Sequence, residues 1–159
     1  QAKIGQSFRY PCIGKEPRGS AMGRGVFLID NAAALEGYLH GRHVAYIQEY
    51  MPIDRDIRVV VIGGRAAHAY WRIAAHGEFR TNVACGGRIS LDPVPETAVT
   101  LALKAARTCG WDDVGLDICS HNGQFIILEA NMKYGKQGFR AAGIDYIGMM
   151  EQMIDDAWI

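Results

Sequence analysis

Short runs of apolar residues, separated by glycine-rich turns, recur along the chain and predict strands. Seven runs are predicted as strands: 10–16, 25–30, 44–51, 57–62, 65–74, 114–120 and 124–130. Gly63-Gly64 is a tight hairpin signal between two of these runs, and 121–123 predicts a second hairpin. Strands that are joined by hairpins pair antiparallel, so the pattern predicts an antiparallel sheet.

Apolar residues at helical spacing predict two helices between these strands and one after them. The first covers 31–40, with Asp30 or Asn31 as its N-cap. The second begins at Pro95-Glu96 and ends at Gly110.

The third predicted helix lies in the tail, 146–158, and the stretch 75–92 is predicted to be irregular. One helical stripe of the tail holds four apolar residues: Ile147, Met150, Ile154 and Trp158. Amphipathic helices pack such stripes inward, so these side chains are expected in the core. Loops as long as 75–92 are usually functional or disordered.

The order of these elements predicts an α+β fold, an antiparallel sheet with helices packed on one side. A first sheet pair and helix precede a separate run of strands, so we expect a subdivision near 42–46. The two parts would be 1–43 and 44–159. Because the chain begins with Gln1 rather than Met, it is expected to lack the N-terminal part of a longer protein.

Composition narrows the functional classes. Of 159 residues, 49% are hydrophobic and 21% are charged, which is a globular balance. The 17 basic and 17 acidic side chains cancel, so charge gives no support to nucleic-acid binding. No apolar run reaches the roughly 18 residues of a membrane-spanning helix, and no signal peptide is visible. The four cysteines form no Cys-x-x-Cys pair, so reduced thiols and a cytoplasmic location are expected.

Polar residues interrupt two of the predicted strands where apolar side chains are expected. Asp117 lies within 114–120, and Glu129 and Asn131 end the apolar run before them. A carboxylate among strand apolars is costly unless it is paired or metal-bound. Two carboxylates and an amide oxygen suit a hard divalent cation such as magnesium or manganese. The alternative is a solvated sheet face.

Two residues of the long stretch, Arg80 and Asn82, are candidates for binding a phosphoryl group. They are two apart, so extended backbone directs both side chains to the same side. A solvent-exposed arginine in a loop is the alternative.

Lys15 ends an apolar strand just before a glycine-rich turn that contains Gly19, Ser20, Gly23 and Gly25. Glycines let backbone N–H groups approach phosphate, and the lysine supplies positive charge. The segment is not a Walker loop, since a strand rather than a helix follows it. An ordinary turn is an equally good interpretation of these glycines.

In combination, these motifs resemble the ATP-grasp superfamily and, within it, RimK-like ligases that join amino acids such as glutamate to a carboxylate. The resemblance covers nearly the whole chain and depends on the order of its motifs. After Lys15 and the glycine turn come Gln48-Glu49-Tyr50, Asp56-Ile57-Arg58, Gly77-Glu78-Phe79-Arg80-Thr81-Asn82, Gly115-Leu116-Asp117 and Glu129-Ala130-Asn131.

The resemblance implies a role for each motif. Lys15 and the hairpin from Gly19 to Gly25, with Ser20 and Gly23, would contact the ATP phosphates. The backbone at Glu49 and Tyr50 would meet adenine, and Asp56 the ribose or its surroundings. Arg80 and Asn82 would steady the γ-phosphate and the acyl-phosphate formed from it. Asp117, Glu129 and Asn131 would hold one or two magnesium ions.

The resemblance also implies the reaction: a carboxylate is activated with ATP and joined to an amine, such as that of an amino acid, with release of ADP. Two alternatives stay open, a nucleotide-binding or regulatory module without ligase activity and a phosphotransferase. A homo-oligomer is a further expectation. Lys133, Lys136 and Arg140 stand where the family often has small residues, Pro and Gly; they would bind an anionic acceptor or form a solvated loop.

A shared metal site makes a geometric prediction about the last hairpin. A two-residue turn at Asn122-Gly123 would set Asp117 opposite Leu128, which turns Glu129 to the other face. We therefore predict a three-residue loop, or a bulge nearby that restores the same parity.

Overall fold

The computed structural model describes residues 9–20 and 23–159 and divides the chain into two compact units, Gln1–Pro52 and Ile53–Ile159. The division falls after Pro52 rather than at the predicted 43/44 boundary. The reason is that strand Tyr46–Glu49 pairs with Cys12–Lys15 and so belongs to the first sheet.

The first unit is a three-stranded antiparallel sheet with one helix. Its strands are β1 (Cys12–Lys15), β2 (Val26–Ile29) and β3 (Tyr46–Glu49), in the order β2-β1-β3. Helix α1 (Ala32–Leu39) begins at the N-cap Asn31, whose side chain accepts a hydrogen bond from Ala34 N at 2.9 Å.

Apolar side chains from both layers form the core of this unit: Cys12, Ile29, Leu35 and Tyr38. The helix lies so close to the sheet that a Cβ on Gly14 would come within 2.8 Å of both Ile29 and Tyr38. Glycine at this position of β1 is therefore a packing requirement.

The second unit is a five-stranded antiparallel sheet with the order β6-β5-β4-β7-β8. Its strands are β4 (Arg55–Ile62), β5 (Arg65–Ile73), β6 (Arg88–Ser90), β7 (Asp113–His121) and β8 (Gln124–Asn131). Its helices are α2 (Glu96–Cys109), α3 (Gln137–Ala141) and α4 (Tyr146–Asp155). The predicted α+β class and the predicted strand pairs are confirmed.

Alternate residues of β4 supply two separate cores, because successive side chains of a strand point to opposite faces. Ile57, Val59 and Val61 pack against α2, which presents Ala98, Ala102 and Ala106 at a spacing of four. On the other face, Val60 and Ile62 pack against Phe139 of α3 and Met153 of α4. The helices thus cover both faces of this sheet. The prediction that they pack on one side is wrong.

Helix α4 buries only part of the predicted stripe: Met150 packs against the core, but the most buried residue of the helix is Met153. Met153 is 5% exposed, whereas Ile147 is 63% exposed and Ile154 58%. The helix ends at Asp155, and Ala157 follows in the left-handed region with φ 54°, so Trp158 leaves the stripe. The ring of Trp158 instead lies 3.6 Å from the guanidinium of Arg65.

The long stretch 75–92 is more regular than predicted. It contains a short 3₁₀ helix, Val83–Cys85, and strand β6, which pairs with β5 at Trp71, Arg72 and Ile73. A three-residue strand carries too little periodicity to be predicted. None of the helices formed by residues 9–20 and 23–159 has the length and apolar content that a membrane span needs.

Candidate functional site

The turn between β7 and β8 is a two-residue turn, so the prediction of a three-residue loop is wrong. His121 pairs with Gln124, and the turn residues have positive φ, 50° at Asn122 and 75° at Gly123. Positive φ at both positions is the requirement of a type I′ hairpin turn, and Asn-Gly meets it with little strain.

β8 contains a bulge, which is the second form of the prediction made from the sequence. Ile118 pairs with Ile127 but Asp117 pairs with Glu129, which leaves Leu128 as the extra residue. Opposed residues share a face of a sheet, so Asp117 and Glu129 lie on the same face, and Asn131, opposite Gly115, joins them. The three predicted metal ligands are therefore on one face, and the bulged form of the prediction is confirmed.

Two arginines that the sequence analysis did not assign lie on this face and bind Asp117. Arg58 is the residue of β4 opposite Asp117; its Nε donates to Oδ1, and its Nη2 donates to Oδ2 at 3.0 Å. Arg72 of β5 approaches from the next strand, with its Nη2 2.7 Å from Asp117 Oδ2.

Arg72 extends this network to a second buried carboxylate, Asp56. Its Nε donates to Asp56 Oδ1 at 2.7 Å and its Nη2 to Oδ2 at 2.5 Å. Burial by itself lowers the pKa of Arg72, but the charges of Asp117 and Asp56 outweigh it and raise that pKa above its ordinary value. The guanidinium is therefore permanently charged.

The network is electrically balanced. Two arginines and two aspartates, Arg58, Arg72, Asp56 and Asp117, are each at most 6% exposed. Buried ions are tolerated when each is paired and hydrogen-bonded, and removing one partner typically costs about 3–5 kcal/mol. The sequence could have indicated these arginines, because each one lies between two apolar residues of a predicted strand.

The three candidate metal ligands have unequal environments. Asp117 uses about three of the four acceptor positions of its carboxylate on arginine, which leaves one on Oδ1. Glu129 is exposed, and within residues 9–20 and 23–159 its side chain makes no hydrogen bond or ion pair. No group of three or more His, Cys, Asp or Glu side chains in the described parts of the chain is arranged for a metal. The donor set is two carboxylates and the amide of Asn131, which fits a hard cation that completes its shell with water or phosphate.

The segment that carries Arg80 and Asn82 is bonded within itself. Glu78 Oε1 accepts from the backbone N–H groups of Phe79 and Arg80 at 2.9 and 3.0 Å. The same carboxylate binds the Arg80 guanidinium, with Nε–Oε1 at 2.9 Å and Nη2–Oε2 at 2.7 Å. These bonds from Arg80 lower the pKa of Glu78 to about 2. The guanidinium is therefore already oriented in this structure.

Asp56 has a different environment from the predicted ribose contact. It is 2% exposed and accepts hydrogen bonds from Arg72 and from Thr81 Oγ1, the latter at 2.6 Å. A carboxylate that is buried and bonded in this way is not free to accept from a sugar hydroxyl. The physical role of Asp56 is to join β4 to β5 and to the Arg80 segment.

The phosphate-binding candidates of the first unit lie at the end of β1 and in the turn after it. Lys15 is half-buried, pairs with Val26 and Tyr46, and holds its Nζ 5.8 Å from the Tyr46 ring. Glu16 N donates to Gly25 O at 2.8 Å and closes the turn, and Ser20 Oγ donates to Arg24 O. The glycines at 19, 23 and 25 all have φ between 71° and 76°. Two turn residues, Ala21 and Met22, lie outside the described residues.

The adenine candidates occupy the end of an edge strand. Glu49 is the last residue of β3, where it is exposed and pairs with Cys12, and Tyr50 follows half-buried. Within residues 9–20 and 23–159, β3 pairs with β1 on one side and with no strand on the other. The outer side of an edge strand presents backbone N–H and C=O groups, which is the chemistry that an adenine edge needs.

Comparisons with known proteins identify the family of this chain. The family model of the RimK-like ATP-grasp domain matches residues 1–155. Beta-citrylglutamate synthase B of Danio rerio is 33% identical over 152 residues, 91% of this chain and 37% of that protein. Ribosomal protein bS6–L-glutamate ligase of Escherichia fergusonii is 33% identical over 141 residues, 84% of this chain and 47% of that protein. The chain spans less than half the length of these relatives.

A solved structure shows the same fold. The ATP-grasp ligase PsnB, complexed with a phosphomimetic variant of its minimal precursor, Mg and ADP, aligns with a TM-score of 0.68 at 21% identity. The alignment covers 99% of this chain and 48% of PsnB. The predicted ATP-grasp fold is confirmed, and with a family match over 1–155 the chain belongs to the RimK-like ATP-grasp family.

Proposed function

We propose that this chain is the ATP- and magnesium-binding part of a ligase that activates a carboxylate as an acyl-phosphate and joins it to an amine, releasing ADP and phosphate. The observation that carries the proposal is the bulge at Leu128, which puts Asp117 and Glu129 opposite each other and Asn131 on their face. A strand distorted so that two acidic residues lie directly opposite each other on one face has a clear physical use if a cation lies between them.

In the second unit, the proposed roles follow from charge and position. Asp117, Glu129 and Asn131 hold magnesium, which neutralises phosphate charge when it is bound. Arg80 and Asn82 bind the γ-phosphoryl group and steady it as it moves to the carboxylate. Phosphoryl transfer depends on positioning and charge neutralisation, so no covalent protein nucleophile is needed.

In the first unit, Lys15 and the turn with Gly19, Ser20, Gly23 and Gly25 bind the ATP phosphates. Three glycines with positive φ allow a backbone path that lets N–H groups approach an anion. The backbone at Glu49 and Tyr50 binds adenine through the open side of β3. We assign 1–52 to the small ATP-grasp subdomain and 53–159 to the large one.

For the substrates, we propose L-glutamate or another amino acid as the amine, since the names of two relatives, a β-citrylglutamate synthase and a bS6–L-glutamate ligase, both contain glutamate. Lys133 and Arg140 are exposed and suit an anionic acceptor. Lys136 is not available in the same way, because its Nζ lies 4.0 Å from the Tyr134 ring and 3.5 Å from the Tyr146 ring. We propose a cytoplasmic location, where ATP and glutamate are available.

The test is ADP release by the whole protein with ATP and magnesium, in the presence of L-glutamate and of citrate or ribosomal protein bS6. A ligase releases ADP only when both the amine and the carboxylate are present. Release with the carboxylate alone, together with a stable phosphorylated product, would indicate a phosphotransferase. Nucleotide binding without release under any combination would indicate a binding module.

A further inference from the structure

The segment that carries Arg80 and Asn82 is attached to the sheet by Thr81, a residue of their motif to which the sequence assigned no role. Thr81 is 5% exposed, whereas both of its neighbours are half-buried. Its Oγ1 donates to Asp56 Oδ2 at 2.6 Å. A hydroxyl that binds a buried carboxylate forms a charge-assisted hydrogen bond, which is stronger than one between neutral groups.

This hydrogen bond is the first in a line of contacts that ends at the metal candidates. Asp56 Oδ2, the oxygen that accepts from Thr81, also accepts from Arg72 Nη2 at 2.5 Å. The same nitrogen lies 2.7 Å from Asp117 Oδ2. Three short polar contacts therefore connect the backbone between Arg80 and Asn82 with Asp117, entirely through buried groups.

The backbone around Thr81 is also packed closely from the other side. A Cβ on Gly87 would lie 2.5 Å from Thr81 O and 3.0 Å from Asn82 O. Asn82 O accepts hydrogen bonds from Cys85 N at 2.9 Å and from Gly87 N at 3.2 Å. The Thr81 hydroxyl holds the segment against the sheet. The turn that leads to β6 packs against the backbone of Thr81 and Asn82.

We propose that Thr81 is a positioning residue: its hydroxyl, acting through Asp56 and Arg72, fixes Arg80 and Asn82 relative to Asp117. The inference rests on the proposed ligase function and adds a residue to that site. Glu78 orients the Arg80 guanidinium within its own segment, so losing the Thr81 bond moves the segment as a unit. ATP still binds to Arg80, but its γ-phosphoryl group is then displaced relative to Asp117 when it is transferred.

The experiment compares three variants of the whole protein. Thr81→Val keeps the shape of the side chain and removes the hydroxyl, and Thr81→Ser keeps the hydroxyl. Thr108→Val is the matched control, because Thr108 is exposed on α2 and its Oγ1 donates to Lys104 O of the same helix at 2.8 Å. The measurements are the kcat of ADP release, the Kd of ADP with magnesium, and hydrogen exchange at the amides of Cys85 and Gly87.

For Thr81→Val we expect kcat to fall roughly 10- to 10²-fold with the ADP Kd changed less than about threefold, since small misplacements at a reacting centre cost about this much. The two amides should exchange at least about tenfold faster. Thr81→Ser should recover most of both losses, and Thr108→Val should resemble the unchanged protein.

Two results would overturn the proposal. One is a Thr81→Val protein that turns over and exchanges like the unchanged protein. The other is a Thr81→Ser protein as impaired as Thr81→Val, which would assign the effect to packing. If the unchanged protein ligates nothing, the proposed function fails; the exchange measurements still decide whether the Thr81 hydroxyl holds the segment.

Discussion

Replacing Asp117 by Asn keeps the shape of the side chain but removes its charge and turns one acceptor oxygen into an N–H donor. Three contacts are affected, two from Arg58 and one from Arg72. Both guanidiniums are buried, at 6% and 5% exposure, so water does not replace the lost partner. Breaking a buried pair from one side costs about 3–5 kcal/mol.

A loss of this size is easily measured. At roughly 2–4 °C per kcal/mol for a protein of 150–250 residues, Asp117→Asn should lower the melting temperature by about 6–20 °C. The same change should abolish any magnesium dependence of ADP binding that involves this carboxylate. This substitution therefore changes both the stability that depends on the arginine network and the proposed binding of magnesium. A control is needed to separate the two effects.

Glu129→Gln is that control. It makes the same chemical change on the residue that pairs with Asp117, but at an exposed site without a protein partner in the described ranges. We expect its stability to change by less than about 0.5 kcal/mol, while magnesium-dependent ADP binding is lost as in Asp117→Asn. Equal stabilities of the two variants would refute the account of the network. Unchanged magnesium dependence in Glu129→Gln would refute the metal site.

Three further predictions concern the nucleotide and the Arg80 segment. ADP should bind much more weakly without a divalent cation, because the unpaired Glu129 carboxylate repels phosphate unless a cation lies between them. Calorimetry of the whole protein with and without magnesium tests this, and equal affinities would contradict it. Arg80→Ala should lower kcat about 10²- to 10³-fold with a smaller effect on ATP binding, by analogy with the loss of one oxyanion donor. Arg107 is exposed on α2, and Arg107→Ala is the control that should leave kcat unchanged. The pKa of the Glu78 carboxyl, followed by NMR, should be about 2 rather than 4.5 and should return toward 4.5 in Arg80→Ala. Because that pKa is depressed, the stability from its bonds is present above about pH 4.5 and is lost as pH falls through about 2.

The sequence predicted the shared face of Asp117, Glu129 and Asn131 from the chemistry expected there rather than from turn statistics. Asn122-Gly123 favours a two-residue turn, and the protein has one. The requirement that Asp117 and Glu129 converge could then be met only by a bulge, which is what occurs at Leu128. The turn keeps its preferred two-residue form and Asp117 still faces Glu129, because the extra residue Leu128 changes the register between the turn and the site.

Other features depend on contacts between residues distant in the chain, which a local pattern does not contain. Arg58 and Arg72 lie in strands whose apolar residues suggested only a core, and their partners Asp117 and Asp56 become neighbours only through strand order. Helix α4 was misjudged for a similar reason. Its buried side, marked by Met153, is selected by Phe139 of α3, and not by its own periodicity.

The bulge at Leu128 also affects how the sheet meets other molecules. Among the described residues β8 is an edge strand. A regular edge presents a row of backbone N–H and C=O groups to which a strand of another chain can add. A bulge increases the local twist and breaks the even spacing of that row. The same extra residue that sets Asp117 opposite Glu129 therefore makes the outer side of β8 a poorer template for a strand of another chain.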